Sequence, residues 1–165
     1  MSLFFLDKQE SNETIHCLAV NIGQSQLLVP MPAVAEIILN QNPEKSDRLP
    51  AWVAGWVAWR HLNIPLIDFA ALQNRAAAAA SDFGASTRIL VLNSFAEGHS
   101  HHYYAIFTRG FPHTLRVKAD CEMTTQSAAD NGNCIKIDLQ VENKKLLLPD
   151  FSQIEIYLKE IPLYY

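Results

Sequence analysis

The chain lacks any run approaching the roughly eighteen apolar residues that would span a bilayer, any excess of positive charge, and any paired-cysteine motif. The first absence leaves no transmembrane helix to place. The second is a net charge of −4 over 165 residues, which argues against nucleic acid as a partner, because such binders carry a basic face. As to the third, Cys17, Cys121 and Cys134 are odd in number, far apart and free of any CxxC spacing. That pattern fits reduced thiols in a cytosolic protein and not a disulfide framework. The opening MSLFFLDKQES has only a short apolar stretch before Asp7 and no basic region ahead of it, so it does not read as a signal peptide. The expectation is a soluble, cytoplasmic protein. Catalytic signatures are missing too: there is no G-x-G-x-x-G, G-x-x-x-x-G-K-[ST] or H-E-x-x-H. Gly98-His99-Ser100-His101-His102 lacks the second glycine of a nucleophile elbow.

What is present is an ordinary globular composition, 49% hydrophobic and 18% charged, in a chain of single-domain length. Most of its patterning is that of strands. Ile15 to Ile22 places Leu18, Val20 and Ile22 on one face, predicting a half-buried strand that turns at Gly23-Gln24-Ser25 into Gln26 to Val29. Pro30 and Pro32 break the ladder, so Pro32 to Ala35 reads as one helical turn before a strand over Glu36 to Leu39. Asn40 to Arg48 is polar and reads as a loop.

The densest segment is Leu49 to Phe69, LPAWVAGWVAWRHLNIPLIDF. Trp52, Trp56 and Trp59 fall at helical spacing, but Gly55 inside a helix would cost about 1 kcal/mol relative to alanine, and valine and tryptophan favour strands. A hairpin is preferred: a turn over Pro50 to Ala54, a strand over Trp56 to Arg60, reversal at His61-Leu62-Asn63, and return over Ile64 to Ile67. Asp68 then caps a short helix over Phe69 to Asn74. Ala76 to Ala80 either prolongs that helix or is a linker. Arg88 to Phe95 and Tyr103 to Arg109 predict paired strands, joined by a loop carrying His99, His101 and His102. Lys118 to Asn133 reads as an extended polar loop. Cys134 to Glu142 alternates cleanly and predicts a strand, which turns back into Leu146 to Leu148. Ser152 and Glu155 form a capping-box pattern for a closing helix, with Ile154, Tyr157, Leu158 and Ile161 as its apolar stripe. About eight or nine strands with two or three short helices predict a mainly β, barrel-like antiparallel fold.

Four pieces in order carry a family resemblance: Val34-Ala35-Glu36-Ile37-Ile38, Leu49-Pro50, Gly55-Trp56-Val57-Ala58-Trp59-Arg60, and Ile64-Pro65-Leu66-Ile67-Asp68-Phe69. Together they resemble the V-x-E-I element, proline-led turn, G-V-x-x-x-R-G strand end and I-P-V-I-D-L strand of the CheW-like domain. The resemblance covers most of residues 15–161, leaving 1–14 as an N-terminal extension. It implies two intertwined SH3-like β-barrel subdomains with a few short helices and a C-terminal helix. It also implies an adaptor without enzymatic activity or cofactor, which links the cytoplasmic tip of chemoreceptors to the regulatory domain of a CheA-type histidine kinase and could also meet other CheW-like proteins. The tryptophan-rich segment is similar to accessory adaptors of the ChpC type, which serve type IV pilus chemosensory systems and twitching motility. Two positions depart from the family. His61 stands where a glycine usually follows the arginine, and Phe107-Thr108-Arg109-Gly110-Phe111 lacks the usual acidic residue.

On this resemblance Val34, Gly55, Trp56, Arg60, His61 and Pro65 are the candidate partner-binding residues, with Asp68 as a structural cap. Each also has a plainer reading. Arg60 could simply pair with Asp68 or another carboxylate, Val34 could be core, and Gly55 could be a backbone requirement. The tryptophans suit binding anchors, though at least one should lie in the core. The three histidines invite a metal-site reading, and with it a small metal-dependent hydrolase. A solvated loop is the favoured reading, with no metal and no cofactor, because no partner ligands lie at recognised spacing. A β-barrel interaction module outside chemosensing is the remaining alternative.

Overall fold

The computed structural model describes residues 13–23, 25–74, 76–78, 84–98, 101–118, 122–125, 134–141 and 143–164. Residues 1–12 of the expected extension, His99, Ser100 and Cys121 lie outside them. Among the described residues there are eleven strands: β1 Thr14–Asn21, β2 Gln26–Pro30, β3 Val34–Leu39, β4 Val53–Trp59, β5 Leu62–Ile67, β6 Arg88–Asn93, β7 Tyr103–Thr108, β8 His113–Lys118, β9 Glu122–Thr125, β10 Ile135–Val141 and β11 Lys144–Pro149. Two helices, α1 Phe69–Asn74 and α2 Phe151–Leu158, and a 3-10 turn at Met31–Ala33 complete the set.

The strands form two sheets, one of six in the order β8-β1-β2-β11-β10-β9 and one of five in the order β3-β6-β7-β5-β4. The chain begins in the larger sheet, builds the whole smaller one, and returns, which is the interlacing expected of two barrel-like subdomains. Most pairs are antiparallel; β2–β11 and β5–β7 are parallel, and the first of these joins the start of the chain to its end.

Three apolar clusters follow from the alternation of side chains across strands. Val57, Trp59, Ile64, Leu66, Ile89 and Phe107 belong to a cluster drawn from the smaller sheet alone. Cys17, Leu28, Leu139 and Leu146 belong to one drawn from the larger sheet. The third cluster joins the two sheets and α2 through Leu18, Val29, Leu90, Tyr104, Ile154 and Leu158, among others. β1 is therefore not half-buried: Leu18 and Val20 face the shared core while Cys17 and Ala19 face the larger sheet's own.

Several expectations are corrected. The polar stretch from Lys118 contains β9, and the preceding residues form β8, so both outer strands of the larger sheet went unread. α1 stops at Asn74, and residues 76–78 do not prolong it. The closing helix is not capped by Ser152. It starts two residues earlier, at Phe151, and Asp150 Oδ1 accepts the Gln153 backbone N–H at 3.1 Å. Glu155 turns inward and is buried, where its carboxylate accepts the backbone N–H groups of Phe95 and Ala96, the latter at 3.0 Å. This ties α2 to the β6–β7 connection.

Candidate functional site

β3 and β4 are the two edge strands of the smaller sheet, and side chains from both meet across the gap between them. A cleft of about 580 Å³ runs between residues 36–41 on one side and 58–60 on the other. Glu36 on β3 bridges it. Its Oε2 accepts the Trp59 indole N–H at 2.6 Å and lies 3.3 Å from Arg60 Nη2. The Arg60 guanidinium also sits over the Trp59 ring, 4.7 Å from its centroid. One carboxylate thus holds both residues that end the β4 side of the hairpin. The pair faces water, with side-chain exposures of 65% for Arg60 and 41% for Glu36. Leu39 and Leu62, at the outer ends of β3 and β5, are exposed as well.

The free edge of β4, beyond the cleft, is covered by the stretch read as a polar loop. Glu44 and Trp56 exchange both backbone hydrogen bonds at 2.8 Å, and the Gln41 side-chain amide does the same with the Ala58 backbone at 3.1 Å each way. Gly55 is what lets the loop come so close. Its φ is +151°, and an added Cβ would sit 2.6 Å from the Glu44 carbonyl oxygen and 2.8 Å from Pro43 Cβ. Trp56 turns its backbone groups to Glu44, so Pro65 opposite it is asked for no hydrogen bond to β4, and the β5–β7 register begins only at Leu66, which leaves room for a proline in this strand.

The hairpin reversal is tighter than expected. Trp59 pairs with Leu62, so the turn consists of Arg60 and His61 alone, with φ of 45° and 63°. Two consecutive left-handed residues are the geometry of a type I′ turn, which matches the strand twist. Leu62 and Asn63 belong to β5, not to the turn, and β4 starts at Val53 within the stretch expected to turn.

The candidate residues therefore separate. Arg60 stands exposed at the cleft, His61 is exposed beside it in the turn, and the partner of Arg60 is Glu36 and not Asp68. Asp68 Oδ1 accepts the Ala71 backbone N–H at 3.1 Å, the geometry of a helix cap. Val34, opposite Leu92 on β6, is half-buried against the shared core. Gly55, Trp56 and Pro65 are buried side by side. Trp56 cannot serve as a surface anchor where it stands, since all three tryptophans are core residues. Glu36 and Trp59 were missed as site residues, although Glu36 was visible as the acidic position of Val34-Ala35-Glu36-Ile37.

His101 is also corrected. It is buried, its Nε2 lies 2.9 Å from the Ile161 carbonyl oxygen, and its ring lies 6.0 Å from that of Trp56. Among the described residues no three histidine, cysteine, aspartate or glutamate side chains converge to hold a metal ion, and His99 lies outside them. Among the described residues, too, no helix is long and apolar enough to cross a membrane.

The model of the CheW-like domain matches residues 16–136. Curated protein sequences give no match. Among solved structures, the crystal structure of the scaffolding protein TtCheW from Thermoanaerobacter tengcongensis superposes with a TM-score of 0.64 at 12% identity, over 83% of this chain and 89% of that one.

Proposed function

Because the chain belongs to the CheW-like domain family, we propose that it is a non-catalytic adaptor of a bacterial chemosensory pathway, working in the cytoplasm. In this reading it couples the cytoplasmic tip of methyl-accepting chemoreceptors to the regulatory domain of a CheA-type histidine kinase. The observation that carries the reading is the exposed Glu36–Arg60 pair at the mouth of the β3–β4 cleft. It presents a planar cation, held in place by a carboxylate and an indole, beside a groove that has apolar residues on both walls. That combination suits a helical receptor tip carrying glutamate, because guanidinium pairs carboxylates in fixed geometry. The kinase would dock on the other subdomain. Each contact would be modest and made firm by repetition in an array.

The test is capture of a soluble receptor signalling fragment and of the kinase by the purified protein, unaltered and as Arg60→Glu. The variant is expected to lose receptor or kinase capture while its melting temperature moves by less than about 4 °C, since an exposed ion pair contributes little to stability. Undiminished capture by Arg60→Glu would reject this surface, and no capture by the unaltered protein would reject the adaptor. The narrower pathway, a ChpC-type accessory role in type IV pilus twitching, belongs to the same reading. Recovery of a pilus-associated receptor with the tagged protein from its own cells would support it, and recovery of a flagellar one would redirect it. Among the described residues, no observation favours the hydrolase.

A further inference from the structure

The segment Ile161 to Tyr164 lies across the buried face of Trp56 and is held very unequally along its length. Ile161 is its anchor, 4% exposed, with its carbonyl oxygen 2.9 Å from His101 Nε2 and its N–H donated to Leu158. Beyond it, among the described residues, no backbone hydrogen bond is made by Pro162, Leu163 or Tyr164. Leu163 is 48% exposed and Tyr164 38%. What keeps them down is the Tyr164 ring, edge-on to Trp56 with centroids 5.4 Å apart, and its hydroxyl, which donates to Glu44 Oε2 at 3.0 Å. The bond to Glu44 and that carboxylate's charge raise the pKa of the Tyr164 hydroxyl above its ordinary value. A cavity of about 140 Å³ remains beside the ring, between Trp56, Glu44 and the exposed Lys45 and Arg48.

We propose that Trp56 and Glu44 form a docking slot for a tyrosine side chain on an extended, acidic-flanked segment of a partner protein, and that Tyr164 occupies this slot in cis as a releasable strap. The chain itself shows which chemistry the slot accepts: an aromatic ring against the indole and a hydroxyl donor toward a carboxylate. Lys45 and Arg48 on the rim set the charge of the flanking residues. The strap can lift because Leu163 and Tyr164 are exposed and, among the described residues, are tethered by one ring contact and one solvent-exposed hydrogen bond, while Ile161 stays anchored and Pro162 half-buried. This inference goes beyond the adaptor reading and does not rest on it, since Trp56 faces the opposite side of β4 from Trp59 and the Glu36–Arg60 cleft.

The test uses the full chain, its Tyr164→Ala variant, and the peptide acetyl-Glu-Ile-Pro-Leu-Tyr-amide, with an otherwise identical peptide ending in alanine as control. Tryptophan emission and peptide titration are the readouts. Tyr164→Ala is expected to melt near the unaltered chain and to emit at longer wavelength as Trp56 becomes wetted. The tyrosine peptide should reverse that shift, bind the variant about tenfold or more tighter than the unaltered chain, whose own strap competes at high effective concentration, and lose affinity when Glu44→Gln is added. Equal binding to both proteins, no binding to either, or equal binding of the alanine peptide overturns the slot. A fall of more than about 10 °C in the melt of both Tyr164→Ala and Tyr164→Phe makes the segment a structural clasp and overturns release. A dimer of the unaltered chain in gel filtration that Tyr164→Ala abolishes would mean exchange of this segment between copies, and overturns the cis arrangement.

Discussion

Glu36 Oε2 lies 3.3 Å from Arg60 Nη2, yet its shorter contact, 2.6 Å, is to the indole N–H of Trp59. The two bonds differ in what their loss would do. Arg60 is exposed, so Arg60→Ala should destabilise the fold by less than about 1 kcal/mol. Trp59 is buried, and removing its acceptor strands a donor, so Glu36→Ala should cost about 1–3 kcal/mol. Glu36→Gln keeps an acceptor and should fall between. Urea unfolding of the three variants checks the order. Equal losses for Arg60→Ala and Glu36→Ala would mean that the indole bond adds nothing to the pair.

The turn of Arg60 and His61 holds two non-glycine residues at positive φ. A left-handed residue with a Cβ costs roughly 1–2 kcal/mol, part of which glycine returns as unfolded-state entropy. His61→Gly should therefore raise stability by about 0.5–1 kcal/mol, seen as a higher melting temperature. A lower one would show that the imidazole makes a compensating contact.

Gly55→Ala would place a methyl 2.6 Å from the Glu44 carbonyl oxygen at a φ of +151°. Neither the backbone of the covering loop nor the strand can yield cheaply. The expected loss is about 2–3 kcal/mol, with the Glu44–Trp56 bridge opened. Hydrogen exchange at the Trp56 amide checks it: protection retained in the variant would show that the loop can move without breaking the pair.

How much of this could be read from sequence depended on whether the signal was local. β10 was legible because Ile135 and Leu139 are buried while Lys136 and Gln140 are exposed, a period of two written into neighbouring residues. β8 was not, because as an outer strand of the larger sheet it buries only Val117 and leaves His113, Thr114, Arg116 and Lys118 exposed. The tryptophan spacing misled in a definite way. Trp56 and Trp59, three apart on one strand, face opposite sides and enter different cores, whereas helical spacing suggested one stripe. At the site, Glu36 was visible, but its partners lie on a strand at the opposite edge of the sheet, a relation set by curvature. The burial of Trp56 depends on Tyr164, more distant still in the chain. The turn at Arg60-His61 carried no glycine or asparagine to announce it, so the reversal was placed one residue late at its start and two at its end.

Tyr104 supplies the last test, because it is completely buried and its hydroxyl has no hydrogen-bond partner among the described residues. Burial, followed by the nearby charges of Glu155 and Cys134, pushes its pKa far above the ordinary tyrosine value. In the unfolded chain the same phenol ionises near pH 10. The sign follows from proton counts. Above pH 10 the unfolded state releases a proton that the folded state keeps, so the stabilisation from the neutral phenol is complete below pH 10 and is lost as pH rises beyond it. Tyr104→Phe should flatten this alkaline decline by about 1.4 kcal/mol per pH unit. At pH 7 it removes an unsatisfied buried hydroxyl at little change in shape, so stability should hold or rise by about 1 kcal/mol. Denaturant titrations at pH 7, 10 and 11 separate the two effects. A loss at pH 7 instead would mean that the hydroxyl has a partner in solution, and a bound water between Tyr104 and Glu155 would be the first to seek.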